Sequence, residues 1–346
     1  MDEPFQFAYC YYERPFRQPL ATHHGDWSLR QSLLIRLQDQ QGRVGYGEIA
    51  PVAWFGSETL DQALAFCRQL PSSLTQSIIQ GIPNHLPACQ FGLESAWVGL
   101  RDASVHASIG SALSPQAAPP IRVSGLLPAG EAALTAWQPL WQRGYRTFKW
   151  KIAVEALEKE QHLCQELSQQ LPRSAHLRLD ANGGLTLAQA KQWLVLADRL
   201  AIEFLEQPLP GHEFSSLQQL SQQFITPIAL DESVANLRQL QDCYQAGWSG
   251  IFVIKPSIIG SLLSLQLFLR QHQLDIVISS VFESPIGLFH CLQLTKAFAP
   301  TRACGLGIED FLDRDPDCPN LWRADWREMQ PYFDRLWNQW STQFPL

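Results

Sequence analysis

Short apolar runs that end in a polar residue recur through the middle of the chain. In order they are Phe148-Lys149-Trp150-Lys151, Leu177-Arg178-Leu179-Asp180-Ala181-Asn182, Glu203-Phe204-Leu205-Glu206-Gln207-Pro208, Ile228-Ala229-Leu230-Asp231-Glu232 and Val253-Ile254-Lys255-Pro256. Lys151, Asp180, Glu206, Asp231 and Lys255 stand 24–29 residues apart, which is room for one strand, one helix and two loops. Each run therefore reads as the strand of a repeating βα unit. Strands joined in this way are parallel and bring their C-terminal ends to one face, so five polar clusters converge there. Further strands are expected at 121–127, 276–280 and 303–306, with helical patterns such as 154–170, 186–200, 234–246 and 261–272 between them. Eight strands with intervening helices predict an α/β fold of the TIM-like (β/α) barrel type. No GxGxxG follows any strand, which disfavours an open doubly wound sheet.

The flanks break this rhythm. Residues 1 to about 120 combine strand-like runs at 32–37 and 44–49, joined by a turn from Asp39 to Gly42, with helical spacing at 60–70 and 88–109. This predicts an α+β domain over 1–118, a barrel over 119–310 that carries the site, and a C-terminal segment over 311–346. Residues 114–120, rich in Pro and Ala, read as a linker. Two loops stand out in the first domain. At 22–27 the His23-His24 pair reads more readily as solvated than as a metal ligand, since no third ligand lies at a suitable spacing. At 50–59, Trp54 and Phe55 lie among Gly, Pro and Ser, and read equally as a lid or as a hydrophobic plug. The stretch 321–340 holds four tryptophans, which predicts that it packs back on the N-terminal region.

Composition narrows the class. The chain has 346 residues, is 46% hydrophobic and 17% charged, and carries a net charge of −7 with no basic run. That argues against a nucleic-acid or anionic-membrane partner, because phosphate binding relies on clustered Lys and Arg. Eight scattered cysteines without a CxxC pair read as free thiols of a reducing cytosol. No uncharged apolar stretch reaches the ~20 residues of a membrane span, and the N-terminus lacks the features of a signal peptide. A cytoplasmic enzyme is expected; its oligomeric state is left open, a monomer being compatible.

The polar ends carry the chemistry. A period of two sends Lys149 and Lys151 to one face and Trp150 to the other. Burial and mutual repulsion are expected to lower their pKa values towards the range useful for a base. The alternative is a surface strand decorated with lysines. Asp180, Glu206 and Asp231 close three successive apolar strands. Any one of them could be a helix N-cap, but three converging buried carboxylates call for a cation. Hard oxygen ligands suit Mg²⁺, with Mn²⁺ as a substitute. Lys151 and Lys255, on the second and sixth of eight strands, would face one another across the barrel mouth. A metal and two opposed lysines are suited to removing a proton next to a carboxylate.

At these residues the chain resembles the muconate-lactonizing-enzyme subgroup of the enolase superfamily, and within it the o-succinylbenzoate synthases. The resemblance rests on KxK at 149–151, RLDAN at 178–182, EQP at 206–208, DES at 231–233 and KP at 255–256. It extends to the loops 45–51 and 55–59, the segment 279–287 and Gly305-Leu306-Gly307. It implies the modified (β/α)7β barrel, with an N-terminal capping domain completed by the C-terminal tail. It also implies a Mg²⁺-dependent hydro-lyase that dehydrates 2-succinyl-6-hydroxy-2,4-cyclohexadiene-1-carboxylate to o-succinylbenzoate, in menaquinone or phylloquinone synthesis. Carried over, Lys151 is the base, Lys149 tunes it, and Lys255 holds the enediolate. Asp180, Glu206 and Asp231 bind the metal, with Asn182 and Glu232 behind them. Ser280, Gly305, Leu306, Gly307, Trp54, Phe55 and Arg178 lie at the substrate. The sequence departs from the family at Phe282 and Pro285, where smaller or more polar residues are usual, and at Ser57, where Thr is common. An N-succinylamino acid racemase or dipeptide epimerase would use the same opposed lysines, although the Asp-x-Asp of dipeptide epimerases is missing from 304–308. A barrel that only binds is the remaining alternative, but such a relative would be expected to lose a ligand or a lysine.

Overall fold

The computed structural model describes residues 3–22, 25–101, 120–308, 310–313 and 315–343. Two sheets organise it. The first is antiparallel, of order β3-β2-β1-β4, built from β1 (Phe5–Thr22), β2 (Gly25–Gln38), β3 (Val44–Ile49) and β4 (Ser73–Leu74). Residues 25–27, expected in a loop, begin β2, whose ladder pairs Thr22 with Gly25 and Leu20 with Trp27. His23 and His24, the expected linker at 114–119 and the end of the helical pattern at 102–109 lie outside the described residues.

Three helices cover this sheet: α1 (Leu60–Gln69), α2 (Gln76–Gln80) and α3 (Pro87–Leu100). Helix α1 opens on a reciprocal capping box between Thr59 and Gln62. Helix α3 is buried along its whole length and lies against β3. A glycine at 47 permits that approach, since a Cβ there would stand 2.0 Å from the Gly92 carbonyl. The C-terminal helix Trp326–Gln343 returns to β1 and β3, burying Met329, Tyr332, Phe333 and Leu336 against Cys10, Tyr12, Val44 and Tyr46.

The second sheet is wholly parallel, in the sequential order β5 (Ser124–Leu127), β6 (Thr147–Lys151), β7 (His176–Asp180), β8 (Phe204–Glu206), β9 (Ile228–Leu230), β10 (Ile251–Ile254) and β11 (Ile276–Ile278). Closure differs from the expected eighth strand at 303–306, where only Cys304 and Gly305 form isolated parallel bridges, to Val123 and Ser279. Four hydrogen bonds complete the circle: Ser124 N to Cys304 O, Cys304 N to Arg122 O, Gly305 N to Ile278 O and Ser280 N to Gly305 O. The strands are short, and β9, β10 and β11 are apolar throughout, because both faces are covered, by the barrel interior and by the helices. The outward Trp150 is fully buried among Leu163, Cys164, Leu167 and Trp193.

Cap and barrel are docked through buried carboxylates placed on helix N-termini. Glu48 of β3 accepts from Ser284 N and Oγ and Gly287 N, at the start of the barrel helix Pro285–Phe298. Glu94 of α3 accepts from Ser261 Oγ and Leu263 N, at the start of Leu262–Gln271. Both helix ends present unpaired N–H groups and a positive dipole end, so a carboxylate from the cap serves each as a cap in the literal sense. Pro285, unexpected from the resemblance, occupies the first helical position, where its missing N–H costs nothing. Among the described residues no helix is long and apolar enough to cross a membrane.

Candidate active site

The register of the parallel ladder assembles the site. Lys151 pairs with Asp180 and Asp180 with Glu206, so three polar residues stand on one rung of adjacent strands. Strands lie about 4.8 Å apart, which brings side chains on the same face into contact. Lys149, one rung lower on the same face, places its ammonium 2.9 Å from both Asp180 and Glu206. Asp231, one residue past β9, pairs with Lys255, one residue past β10. Lys151 alone of the three lysines makes no hydrogen bond or ion pair among the described residues, and it lines the pocket together with Lys149, Lys255, Asp180, Asn182 and Asp231.

These environments separate the lysines. For Lys151, burial and then the charge of Lys149 outweigh the nearby carboxylates, so its pKa lies below the ordinary lysine value. Lys149 corrects the expectation of a lowered pair. Burial disfavours its charge too, but Asp180, Glu206 and Asp231 together outweigh that and raise its pKa. Burial raises Glu206 and Asp231, whereas Asp180 is held low because Lys149, Lys151 and Lys255 overcome its desolvation. The raised pKa of Lys149 beside the lowered pKa of Lys151 separates two adjacent lysines by their surroundings.

The three carboxylates are 1–3% exposed and come from three consecutive strands, a donor set suited to a hard divalent cation. Asp180 and Glu206 already converge on one ammonium, so a cation can satisfy both. Asp231 is turned to Lys255, and no three acidic, thiol or imidazole groups among the described residues are gathered around one point. A metal held by all three would share the Asp231 carboxylate whose Oδ1 pairs here with Lys255. Behind this set, Asn182 donates from Nδ2 to Glu232 and from its backbone to Asp180. The second Glu232 oxygen is buried without a partner.

Backbone strain marks the same rim. Ala153, Asn182, Gln207 and Phe282 have positive φ, and all follow barrel strand ends. For non-glycine residues this conformation is costly and concentrates where a site demands it. Two positioning groups were not singled out in the sequence. Gln207, fully buried, accepts through Oε1 from the backbone N–H groups of Asp231 and Ser233, locking the end of β8 to the end of β9. Glu160 accepts from the N–H groups of Ala153, Val154 and Glu155, fixing the turn just past Lys151. Its signal was a charged residue on the apolar stripe Leu163-Cys164-Leu167.

The expected substrate contacts fall into two groups. Gly305, Gly307, Ser280, Trp54 and Phe55 line the pocket. Phe55 is buried, with the Lys255 ammonium 3.8 Å from its ring centroid, while Trp54 stays 44% exposed. Arg178 and Leu306 do not line it. Arg178 faces inward two residues below Asp180, one layer deeper, where it pairs with Glu203 and donates to Ala303 O. Leu306 turns outward into the core between strands and helices. Ser280 lines the pocket, but its hydroxyl donates to Glu283 and accepts from Phe282 N–H, so it is not aimed at a substrate carboxylate. Leu20, Trp27, Phe282 and Phe311, which the sequence had not assigned to the pocket, form much of its apolar roof.

A closed parallel barrel with carboxylates on consecutive strands, opposed lysines and an α+β cap defines the class, and the chain belongs to the enolase superfamily. Residues 132–321 match the family described as Enolase C-terminal domain-like, and residues 6–100 match the MenC N-terminal domain. Within the superfamily the chain belongs to the o-succinylbenzoate synthase family. It is 42% identical over 303 residues to the o-succinylbenzoate synthase of Thermosynechococcus vestitus, covering 86% of this chain and 91% of that protein. It is 30% identical to the synthase of Yersinia pseudotuberculosis over 89% of this chain and 93% of that one. A crystal structure of the synthase from Thermosynechococcus elongatus BP-1, with Mg in its active site, superposes with a TM-score of 0.83 at 39% identity, covering 96% and 99% of the two chains. The L-Ala-D/L-Glu epimerase of Bacillus subtilis shares the fold with a TM-score of 0.79 at 18% identity, over 91% and 92% of the chains.

Proposed function

We propose that this protein is a cytoplasmic enzyme that catalyses the syn-dehydration of 2-succinyl-6-hydroxy-2,4-cyclohexadiene-1-carboxylate to o-succinylbenzoate, a step of quinone biosynthesis. The observation that carries the mechanism is the contrast among the lysines. Lys149 and Lys255 are engaged by carboxylates, and Lys151 alone presents an unengaged amine of lowered pKa to the pocket. Lys151 takes the proton from the carbon that bears the substrate carboxylate. The resulting ammonium, on the same face, then donates that proton to the departing hydroxyl. One C–H and one C–O bond break, water leaves, and the ring becomes aromatic.

Asp180, Glu206 and Asp231 would hold the divalent cation, Mg²⁺ by their oxygen chemistry. When bound, it supplies positive charge for the carboxylate as that group takes on enediolate character. Lys149 keeps its charge and so holds down the pKa of Lys151. Lys255 presents its ammonium across the barrel from Lys151, with the Phe55 ring against it, and a cation held by Asp231 would leave that ammonium to the substrate carboxylate. Glu160 and Gln207 keep these strand ends in place, and the aromatic roof excludes water.

The test is turnover of the cyclohexadiene carboxylate by purified protein with Mg²⁺, with and without EDTA, followed by the ultraviolet absorbance of the aromatic product. Loss of activity on chelation and its return with Mg²⁺ are expected. Parallel incubation of N-succinylamino acids in D₂O tests the racemase reading. If α-proton exchange occurs there while the cyclohexadiene is untouched, the substrate assignment fails and the base chemistry stands.

A further inference from the structure

Phe282 is the one aromatic residue with positive φ among the described residues, at 63°. A bulky side chain avoids this region, so something must hold it there. Two residues back, Ser280 Oγ accepts the Phe282 N–H at 2.8 Å and donates its own proton to the Glu283 carboxylate. Glu283 is fully buried and also accepts from Val281 N at 3.1 Å and Ser257 Oγ at 2.6 Å. From the cap, Arg30 Nε donates to the Val281 carbonyl at 2.9 Å. Ser280 Oγ, Val281 N and O, Phe282 N and the Glu283 carboxylate are thus all partnered while Phe282 keeps its positive φ.

The strain has a destination. The Phe282 ring lines the pocket and meets Phe16 at 5.1 Å, Trp27 at 5.7 Å and Phe311 at 5.7 Å between centroids. Phe16 and Trp27 belong to β1 and β2 of the cap, so the ring sits where the barrel turn after β11 meets the cap. A relaxed backbone at 282 would withdraw it from all three partners.

We propose that Glu283, acting through Ser280, is a positioning residue that holds Phe282 in the left-handed conformation, and that the Phe282 ring determines how the non-reacting acyl end of the substrate seats. This rests on the dehydration reading above. The wall so formed suits methylene groups carried on a cyclohexadiene carboxylate, while a phenyl ring has no proton to give or take in the transfer at Lys151. Ser280 then contributes through Phe282, not through a direct bond to substrate.

A double-mutant cycle on the full-length Mg²⁺ enzyme separates these roles. Ser280→Ala and Phe282→Ala are each expected to raise KM on the order of 10-fold with kcat within about 3-fold, a loss confined to binding. The double variant is expected to match the larger single effect, because both changes remove the same wall. KM effects that multiply, or an unchanged KM in Ser280→Ala, overturn the proposal. Glu283→Gln, which keeps the shape of the side chain, serves as the second probe if Ser280→Ala does not fold, with the same expected KM shift and the same non-additivity with Phe282→Ala. A wild-type protein inert toward the cyclohexadiene refutes the dehydration reading instead. In that case a crystal structure of Ser280→Ala or Glu283→Gln decides: Phe282 relaxed to negative φ supports the positioning relay, and Phe282 retained at positive φ overturns it.

Discussion

Replacing Glu203 by Gln removes a negative charge that two arginines share at the base of the barrel. Arg178 Nε and Nη2 bond the two Glu203 oxygens at 2.8 and 3.0 Å, and Arg302 Nη1 adds a third bond at 3.0 Å. Arg302 keeps a bidentate partner in Asp275, Nε to Oδ1 and Nη2 to Oδ2 at 2.8 Å each. Arg178, 1% exposed, is left with neutral acceptors alone, the amide oxygen of the new side chain and the Ala303 carbonyl, and with the face of Phe204, 4.6 Å away. An uncompensated buried charge costs about 3–5 kcal/mol, and the partial exposure of Glu203 places this case near about 3 kcal/mol. Burial alone would raise the Glu203 pKa, but Arg178 and then Arg302 outweigh it and hold it below the usual value. A carboxylate whose folded-state pKa is depressed stabilises the fold fully above its unfolded pKa of ~4.3 and loses that contribution as pH falls through the folded value. Urea denaturation of both proteins between pH 8 and pH 3.5 should therefore show a constant gap above about pH 5 that narrows below about pH 4.3. A cost under about 1 kcal/mol at pH 7, or a gap that widens in acid, would refute the reasoning. Turnover by the folded variant should stay within about 3-fold of wild type, since Arg178 supports the barrel and does not line the pocket.

Three further outcomes follow from the same geometry. The pH profile of kcat/KM should rise to a plateau with an inflection below the free-lysine value of ~10.4, because Lys151 must be neutral to accept a proton and its environment lowers its pKa; an inflection at or above that value would contradict the assignment. Phe55→Ala takes away the ring under the Lys255 ammonium, and the loss of a desolvated cation–π contact, about 2 kcal/mol, should lower kcat about 10- to 30-fold; an unchanged kcat would remove the ring from the mechanism. Gly47→Ala forces a Cβ to within 2.0 Å of the Gly92 carbonyl, so the cap should lose about 3 kcal/mol or fail to fold, read as Tm or yield of soluble protein; wild-type stability would show that α3 and β3 can separate cheaply.

The barrel was legible because each strand ends in a polar residue at a near-constant interval, and the ladder pairs Lys151, Asp180 and Glu206 as that rhythm requires. What escaped the sequence was depth and partnership. Arg178 and Asp180 share one face, yet two residues of rise put one in the supporting layer and the other at the mouth. The charge state of Lys149 depends on Asp180 and Glu206, which are neighbours only after the strands align. Apolar Leu20, Trp27 and Phe311 reached the pocket because a long β1–β2 hairpin and the chain past the barrel fold over it, contacts for which a local pattern carries no signal. The eighth strand shrank to two bridged residues because Gly305 and Gly307 offer little side chain to pack, while their bare backbone opens room beside Ser279 and Ser124.

Lys151 as the base is tested most directly by kcat for the cyclohexadiene carboxylate in Lys151→Ala at saturating Mg²⁺. A fall of at least about 10²- to 10⁴-fold in a variant that folds like wild type is the predicted result. A variant that keeps activity within about 10-fold of wild type would show that another group takes the proton.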